Sequence, residues 1–240
     1  MLPGNQLMEH GLPENDLLEA VEVTMTRVLT KALRMNVSVV MGSQPHITAY
    51  PDNGEPIHIP VDAIERKLRR HLRHQVELEL QSRRTLLESK RLKSLRGSVA
   101  YGEISRIADD GALLVSLEIA DCYRRLILAG ECPLRYQAPH ERGRYRIGEV
   151  RQFFISSVLP VMINGRSSKV RILLSRISMA LPPLLLQEQS HIAGIHCRKR
   201  IPGGYSDIVT PSRIPKEVII NVGKELGEYL HVSIQPKDRQ

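Results

Sequence analysis

The reactive side chains of this 240-residue sequence do not have the spacing of a catalytic motif. No GxSxG, HExxH, P-loop or GxGxxG pattern occurs. Asp109 and Asp110 are adjacent carboxylates, but the segment ADDG that contains them has the composition of a turn. Ser167 and Ser168 precede Lys169 in a predicted loop that offers no base to activate a nucleophile. We therefore expect a protein that is not an enzyme and that carries no cofactor.

The histidines and cysteines do not have metal-ligand spacing either. His71 and His74 are three residues apart on a predicted helix, but a third ligand is missing nearby. Cys122, Cys132 and Cys197 are scattered and odd in number, which argues against a disulfide framework and a zinc site. No apolar run is long enough to span a membrane, and the first residues are polar. These features predict a protein of the reducing cytoplasm, with no metal and no membrane association.

Positive charge is the strongest chemical signal. The formal net charge is +8 and the pI is about 9.6, which makes polyanions the expected class of partner. Between residues 61 and 100, eleven Lys or Arg stand against five Asp or Glu. Five of these cations crowd barely two turns of a predicted helix: Arg66, Lys67, Arg69, Arg70 and Arg73.

The same helix has an apolar stripe that includes Ile64, Leu68 and Leu72, so one face can dock while the cations remain on the other. Two interpretations of the cations follow. They form either a solvated helix face or a surface that tracks phosphates, where each contact releases counterions and adds affinity independent of sequence.

Residues 1–95 are predicted to form a small α+β domain. A helix from Pro13 carries apolar residues at helical spacing, with Asn15 or Asp16 as its N-cap. NVSVVMG and HITAY predict two strands separated by a turn, and the basic helix is predicted from Val61.

Residues 96–177 contain five predicted short strands. Asp110 and Gly111 predict a hairpin between the first two strands. The third strand is predicted around residues 123–128, and the longest connection, residues 129–143, comes before the fourth. This order is typical of a five-stranded OB-type barrel.

Alternation along the last strand predicts two faces. The inward residues are Val170, Ile172 and Leu174, and the outward residues are Lys169, Arg171 and Leu173. OB-type barrels commonly bind single-stranded nucleic acid with basic grooves and stacking aromatic side chains. The candidates for stacking are Tyr123, Tyr145 and Phe153.

Three segments of this region resemble an S1 domain: RGSVAYGEISRI, RYRIGEV and KVRILLSR, the last ending at Arg176. The order of domains along the chain is similar to that of the bacterial transcription elongation and termination factor NusA family. The resemblance implies a central S1 barrel followed by a linker and KH domains. Two prolines in the linker, Pro182 and Pro183, predict that a helix starts near Pro182 and runs to about Gln189.

Residues 178–240 resemble the linker and a shortened KH unit of that family. HCRKRIPGGYSDIVTP places Arg200 and Gly203 where the family has Arg-x-Pro-Gly, and a helix and the strand YLHVSI follow. The helix and GxxG loop that clamp nucleotide phosphates in a KH fold are missing. The expected fold is therefore multidomain α+β: an N-terminal α+β domain, a central OB-fold (S1) barrel and a degenerate KH-like unit.

The resemblance implies that the N-terminal domain docks on RNA polymerase near the RNA exit channel. Positive charge would then meet single-stranded nascent RNA and bias pausing, termination or antitermination. The alternatives are a free-standing S1-type RNA-binding protein that does not bind polymerase, and a protein-interaction scaffold. The residues predicted to contact RNA are Arg66, Lys67, Arg69, Arg70, Arg73, Tyr123, Arg124, Arg144, Arg146, Lys169, Arg171, Arg198, Lys199 and Arg200.

Overall fold

The fold is α+β, as predicted. A computed structural model describes residues 12–42, 45–121, 124–163 and 166–235, and within them the chain forms four α-helices and eleven strands. None of these helices is both long and apolar enough to cross a membrane. Tertiary contacts divide the chain into two units, Met1–Lys90 with Pro160–Val170, and Arg91–Leu159 with Arg171–Gln240. The three-domain division, 1–95, 96–177 and 178–240, stays a prediction.

The first unit contains two helices and a three-stranded antiparallel sheet, the N-terminal sheet, of order β1-β2-β3. Its elements are α1 (Glu14–Leu33), β1 (Asn36–Met41), β2 (Pro45–Tyr50), β3 (Ile57–His58), a 3₁₀ turn (Val61–Ala63) and α2 (Arg66–Leu92). The two helices and the sheet share one hydrophobic core. The predicted helix and the two predicted strands are confirmed.

Helix α1 buries one side, because apolar residues recur every three to four positions. Leu17, Val21, Met25 and Leu29 lie in the core. The predicted N-cap is wrong. The capping position is Pro13, whose carbonyl accepts the Leu17 N–H at 3.0 Å, so Asn15 and Asp16 lie inside the first turn.

Helix α2 begins later than predicted. A 3₁₀ turn occupies Val61–Ala63, and Ile64 has extended backbone and a buried side chain, so the α-helix starts at Arg66. From there to Leu92 the sequence has no glycine or proline and is rich in strong helix formers. Leu72, Val76 and Leu80, spaced by four, are buried, and Leu68 packs against them.

A five-stranded mixed sheet, the closed sheet, has the order β4-β5-β6-β8-β7. Its strands are β4 (Val99–Ile107), β5 (Leu113–Asp121), β6 (Arg124–Cys132), β7 (Val150–Ile163) and β8 (Arg166–Ser175). Most of the sheet belongs to the second unit, while the end of β7 and the start of β8 fall in the Pro160–Val170 segment that is grouped with the first. Strand β4 pairs with β5 on one side and β7 on the other, so the sheet closes on itself. Whether it is an OB-fold (S1) barrel stays a prediction.

The sheet has the predicted turn and the predicted long connection, but the long connection begins and ends later than predicted. Gly111 adopts a φ of +79° and the Asp110 side chain accepts the Ala112 N–H, which forms the predicted turn between β4 and β5. The longest connection falls between β6 and β7, as expected, but it covers residues 133–149 because β6 continues to Cys132. Ile172 and Leu174 are buried and Arg171 is exposed, as the alternation predicted, whereas Val170 and Leu173 are both half-buried.

The second unit also contains a smaller three-stranded sheet, the C-terminal sheet, of order β11-β10-β9 with two helices. Its elements are α3 (Leu181–Ser190), β9 (His196–Ile201), β10 (Tyr205–Thr210), α4 (Lys216–Leu226) and β11 (Tyr229–Ile234). The predicted helix from about Pro182 to Gln189 is confirmed, with Pro182 and Pro183 in its first turn. The KH-like assignment of this part stays a prediction.

Candidate nucleic-acid interface

The N-terminal half of α2 presents a cationic surface. Its apolar stripe is buried in the core of the first unit, and all five predicted cations are exposed: Arg66, Lys67, Arg69, Arg70 and Arg73. Arg69 lies 3.7 Å from Asp62, whose side chain is fully exposed. No carboxylate of the described residues forms an ion pair with Arg66, Lys67 or Arg70. Their charges are therefore available to a polyanion.

An apolar cleft of about 520 Å³ adjoins this surface within the first unit. The end of α1 and the beginning of α2 line it, with Leu29, Leu33, Ile64 and Leu68 among its walls. Lys67 is also part of the lining. Glu65 lines the cleft as well, so the cleft suits a protein segment that carries apolar anchors between polar flanks.

The predicted cations of the closed sheet differ in whether a carboxylate of the protein already pairs with them. Arg144 and Arg146 are exposed in the connection between β6 and β7, and Lys169 is exposed on β8. The Arg171 guanidinium donates two hydrogen bonds to the Glu131 carboxylate, at 2.9 and 2.6 Å. Glu131 raises the pKa of Arg171 through these bonds and competes with any phosphate for that guanidinium.

The predicted stacking residues do not form an aromatic platform. Tyr145 is 9% exposed and its hydroxyl donates a hydrogen bond of 2.5 Å to Glu141, while Phe153 is fully buried. Both predictions are wrong, because these rings fill the interior. Tyr123 lies outside the described residues, and the side chain of Arg124 lies outside the described set as well.

The basic run at residues 198–200 divides into two surface cations and one buried one. Arg198 and Lys199 are exposed. The prediction that Arg200 contacts RNA is wrong, because its side chain is 1% exposed and pairs with Glu228, which is 0% exposed. Arg200 also donates hydrogen bonds to the carbonyls of Arg176, at 2.8 Å, and Ser178.

Glu228 is saturated with donors. Its carboxylate accepts three hydrogen bonds from Arg200 at 2.7 to 3.1 Å, one from the Ser206 hydroxyl at 2.7 Å and one from the Gly203 N–H at 3.2 Å. A buried charge pair persists only when such bonds satisfy its remaining polar atoms. This cluster connects β9, β10 and the end of α4, so its role is to hold the C-terminal sheet together.

A second buried cluster surrounds Arg176, the basic residue that directly follows β8. Arg176 donates to the Gln152 carbonyl at 2.7 Å, to the Glu225 carboxylate and carbonyl at 2.9 Å each, and to Glu141. Burial opposes the charge of Arg176, but Glu141 and Glu225 outweigh it and hold the pKa of the guanidinium above its ordinary value. The closed sheet and α4 are joined through this side chain.

The His140 ring packs the connection between β6 and β7 tightly against two glycines of the C-terminal sheet region. A Cβ atom at Gly203 would lie 2.0 Å from His140 Nδ1, and one at Gly227 would lie 2.5 Å from Nε2. Gly203 and Gly227 have φ values of +82° and +62°, so both the backbone and the imidazole require glycine there. Within the second unit, the connection between β6 and β7 is thus locked against the C-terminal sheet.

The sequence analysis missed two exposed tyrosines, Tyr101 and Tyr229, and the half-buried Tyr205. Tyr101 on β4 is 50% exposed and lines a cleft of about 380 Å³ with Ile127 and Val150, but Glu103 and Glu118 line it too. Tyr205 and Tyr229 are cross-strand partners in the C-terminal sheet, and Tyr229 is 73% exposed. The period-two alternation of β10 and β11 was the signal that could have placed them on an outer face.

The predicted RNA contacts therefore fall into separate groups. The α2 cations and Lys169 belong to the first unit, and Arg144, Arg146, Arg171, Arg198 and Lys199 belong to the second. No protein-family model matches the chain, and no curated protein matches it by sequence.

Proposed function

We propose that the protein is a NusA-like transcription factor that binds RNA polymerase and nascent single-stranded RNA, and that it acts by binding alone. The observation that carries the proposal is the α2 surface, where Arg66, Lys67 and Arg70 are exposed and have no carboxylate partner among the described residues. Phosphate contacts of this kind supply affinity independent of base sequence. The polymerase itself is proposed from the family resemblance.

The closed sheet supports the same proposal as an S1-type barrel. Its order β4-β5-β6-β8-β7, the parallel pairing of β6 with β8, and the long connection before β7 are consistent with a five-stranded OB-type barrel. Arg144 and Arg146 would give this sheet phosphate contacts of its own. Arg171, held by Glu131, would contribute less.

The apolar cleft between α1 and α2 is the proposed polymerase-docking site of the first unit. Leu33 and Leu68 would receive apolar side chains, and Glu65 and Lys67 would meet polar residues of the partner. A polymerase bound at this cleft would lie next to the cations of the same helix, so emerging RNA would meet positive charge. Pausing and termination would respond because the transcript is guided electrostatically.

The polymerase proposal is tested by co-purification of the tagged full chain with bacterial core RNA polymerase. We expect a stoichiometric complex that the substitution Leu68→Glu weakens, since a carboxylate would enter the apolar cleft. The exposed substitution Leu86→Glu, on the same helix, is the control and should retain the complex. Absence of a complex with the wild-type chain would reject polymerase binding and favour the free-standing S1-type RNA-binding protein.

RNA affinity over a salt series separates both proposals from a protein-interaction scaffold. Steep loss of affinity between about 50 and 200 mM salt is expected from phosphate contacts. If the chain binds no RNA even at the lower salt concentration, the protein-interaction scaffold is favoured instead.

A further inference from the structure

The C-terminal sheet has one face in the core and one face toward solvent. Ser206, Ile208 and Leu230 are buried, and the last two pack with residues of α3 and α4. Strand alternation directs their sequence neighbours to the opposite face. There Tyr229 is 73% and Ile201 47% exposed, which leaves aromatic and aliphatic surface open to solvent.

Two rows of side chains cross this outer face. The first row is Ile201, Tyr205 and Tyr229, since Tyr205 is the register partner of both of the others. The second row is Lys199, Asp207 and His231, since Asp207 is again the partner of both. We call these six residues the open face.

Side-chain contacts confirm that the two rows share one face. The Lys199 ammonium lies 5.6 Å from the centre of the Tyr205 ring, and His231 Nδ1 lies 3.5 Å from Asp207 Oδ1. The His231 side chain is 68% exposed. Arg198, next to Lys199, is also exposed and donates a hydrogen bond to Gln235 at 2.7 Å.

We propose that the open face binds single-stranded RNA, with a base stacked on Tyr229 and the adjoining phosphate held by Lys199. Every base has a π-face, so stacking on an exposed aromatic ring adds affinity without selecting a sequence. The ammonium beside the aromatic row supplies the phosphate contact.

RNA fits this face better than a protein segment does. The face joins a flat aromatic surface to nearby basic side chains, which is the combination that RNA-binding sheets use to stack splayed bases. Asp207 is the one carboxylate among the six residues, and Lys199 and His231 flank it as its register partners. The GxxG loop that clamps phosphates in KH folds is missing between β10 and α4. Stacking on the sheet would supply RNA binding to this unit by a different route.

This inference adds a second RNA surface to the proposed function, so its test must separate the open face from α2. Full-length protein is titrated into a fluorescein-labelled oligouridine of about 12 nucleotides, a length within the range that small RNA-binding folds cover. Fluorescence anisotropy gives Kd. We expect Tyr229→Ser to raise Kd roughly tenfold, because one stacked base is lost. Tyr229→Phe keeps the ring and should keep the wild-type Kd.

The matched control is Tyr50→Ser, which removes a tyrosine that is 45% exposed on the N-terminal sheet. It should leave Kd unchanged. Lys199→Ala should reduce the slope of log K against log salt by about 0.7, the amount expected for one phosphate contact to a single strand. Circular dichroism should be unaltered in these variants, since Tyr229, Tyr50 and Lys199 are exposed.

A Tyr229→Ser variant with the wild-type Kd overturns the inference, whatever the α2 variants do. A wild-type chain that fails to bind the oligonucleotide overturns it as well, while a polymerase complex would still support docking through the first unit. Loss of RNA binding on substitution of the α2 cations, with none on substitution of Tyr229, leaves the proposed function in place and rejects the open face.

Discussion

Arg200 and Glu228 form an ion pair that is closed to solvent. The Arg200 Nη2 atom lies 2.7 Å from Glu228 Oε1, and the two side chains are 1% and 0% exposed. Neighbouring Arg198 and Lys199 lie on the surface. One run of three basic residues therefore contains two different physical roles, contact with solvent and internal support.

The first prediction separates these roles by stability. Arg200→Ala leaves the Glu228 carboxylate buried without its cation and should lower the free energy of unfolding by about 3–5 kcal/mol. Arg198→Ala, two residues away and exposed, should change it by less than about 0.5 kcal/mol. Urea denaturation with an unchanged m-value measures both. Equal stability of the two variants would contradict the structural role of Arg200.

The second prediction concerns the fit of His140 against Gly203. Gly203→Ala strains a backbone with a φ of +82° and places a Cβ atom 2.0 Å from His140 Nδ1. Gly143→Ala provides the control, since its φ of +71° is similar and nothing lies within 4 Å. We expect Gly203→Ala to be more destabilising than Gly143→Ala by about 1–3 kcal/mol, the usual cost of overpacking.

A double variant tests whether the imidazole causes that difference. His140→Ala removes the ring and should recover most of the extra cost when combined with Gly203→Ala. If thermal or urea unfolding shows that the two substitutions are simply additive, the close approach of His140 is not what makes Gly203 necessary.

The third prediction is a pH dependence that comes from Glu141. Burial alone would raise the pKa of this carboxyl, but the hydrogen bonds and charge of Arg176 outweigh burial and hold the pKa below its ordinary value of 4.5. Because the folded pKa lies below the unfolded one, the stabilisation is complete above pH 4.5 and is lost as the pH falls through the folded value.

Glu141→Gln removes this titration, so the free energy of unfolding should fall less steeply with acidification below pH 4.5 than in the wild type. The slope should decrease by at most about 1.4 kcal/mol per pH unit, the limit for one proton. Parallel wild-type and Glu141→Gln profiles would argue against the pairing with Arg176.

The fourth prediction concerns the α2 surface. Arg66→Gln and Arg70→Gln should each reduce the slope of log K against log salt for single-stranded RNA by about 0.7, because each removes one phosphate contact. Arg84 lies about 21 Å further along the helix axis from Arg70, so Arg84→Gln is the control and should keep the wild-type salt slope. Salt slopes that are the same for all three variants would mean that the N-terminal half of α2 does not contact RNA.

Local features of the chain were predictable because they depend on short-range physics. The spacing of Leu17, Val21 and Leu29 is that of a helix with one buried side, and the structure confirms it. Asp110 and Gly111 form the predicted turn, since glycine reaches positive φ and a nearby carboxylate accepts a backbone N–H. The first turn of α3 accommodates its two prolines because its N–H groups need no partner within the helix.

The errors arose where the type of a residue does not by itself decide its role. Asn15 is a good capping type, yet the helix begins a residue earlier, at Glu14, after Pro13. Tyr145 is an aromatic residue of the kind that stacks on bases, but its ring is buried and its hydroxyl donates a hydrogen bond to Glu141. No local pattern distinguishes a tyrosine on a surface from one whose hydroxyl meets a buried carboxylate.

The sequence by itself determined the helices, the strands and the abundance of positive charge, because propensity, periodicity and net charge are properties of neighbouring residues. Only the tertiary structure decided which cations remain exposed. Arg70 and Arg200 are the same residue type in basic runs, but the apolar stripe of α2 leaves Arg70 in solvent, whereas Arg200 meets Glu228 from 28 positions further along the chain. The energy of a buried charge depends on that long-range partner, which the order of residues does not reveal.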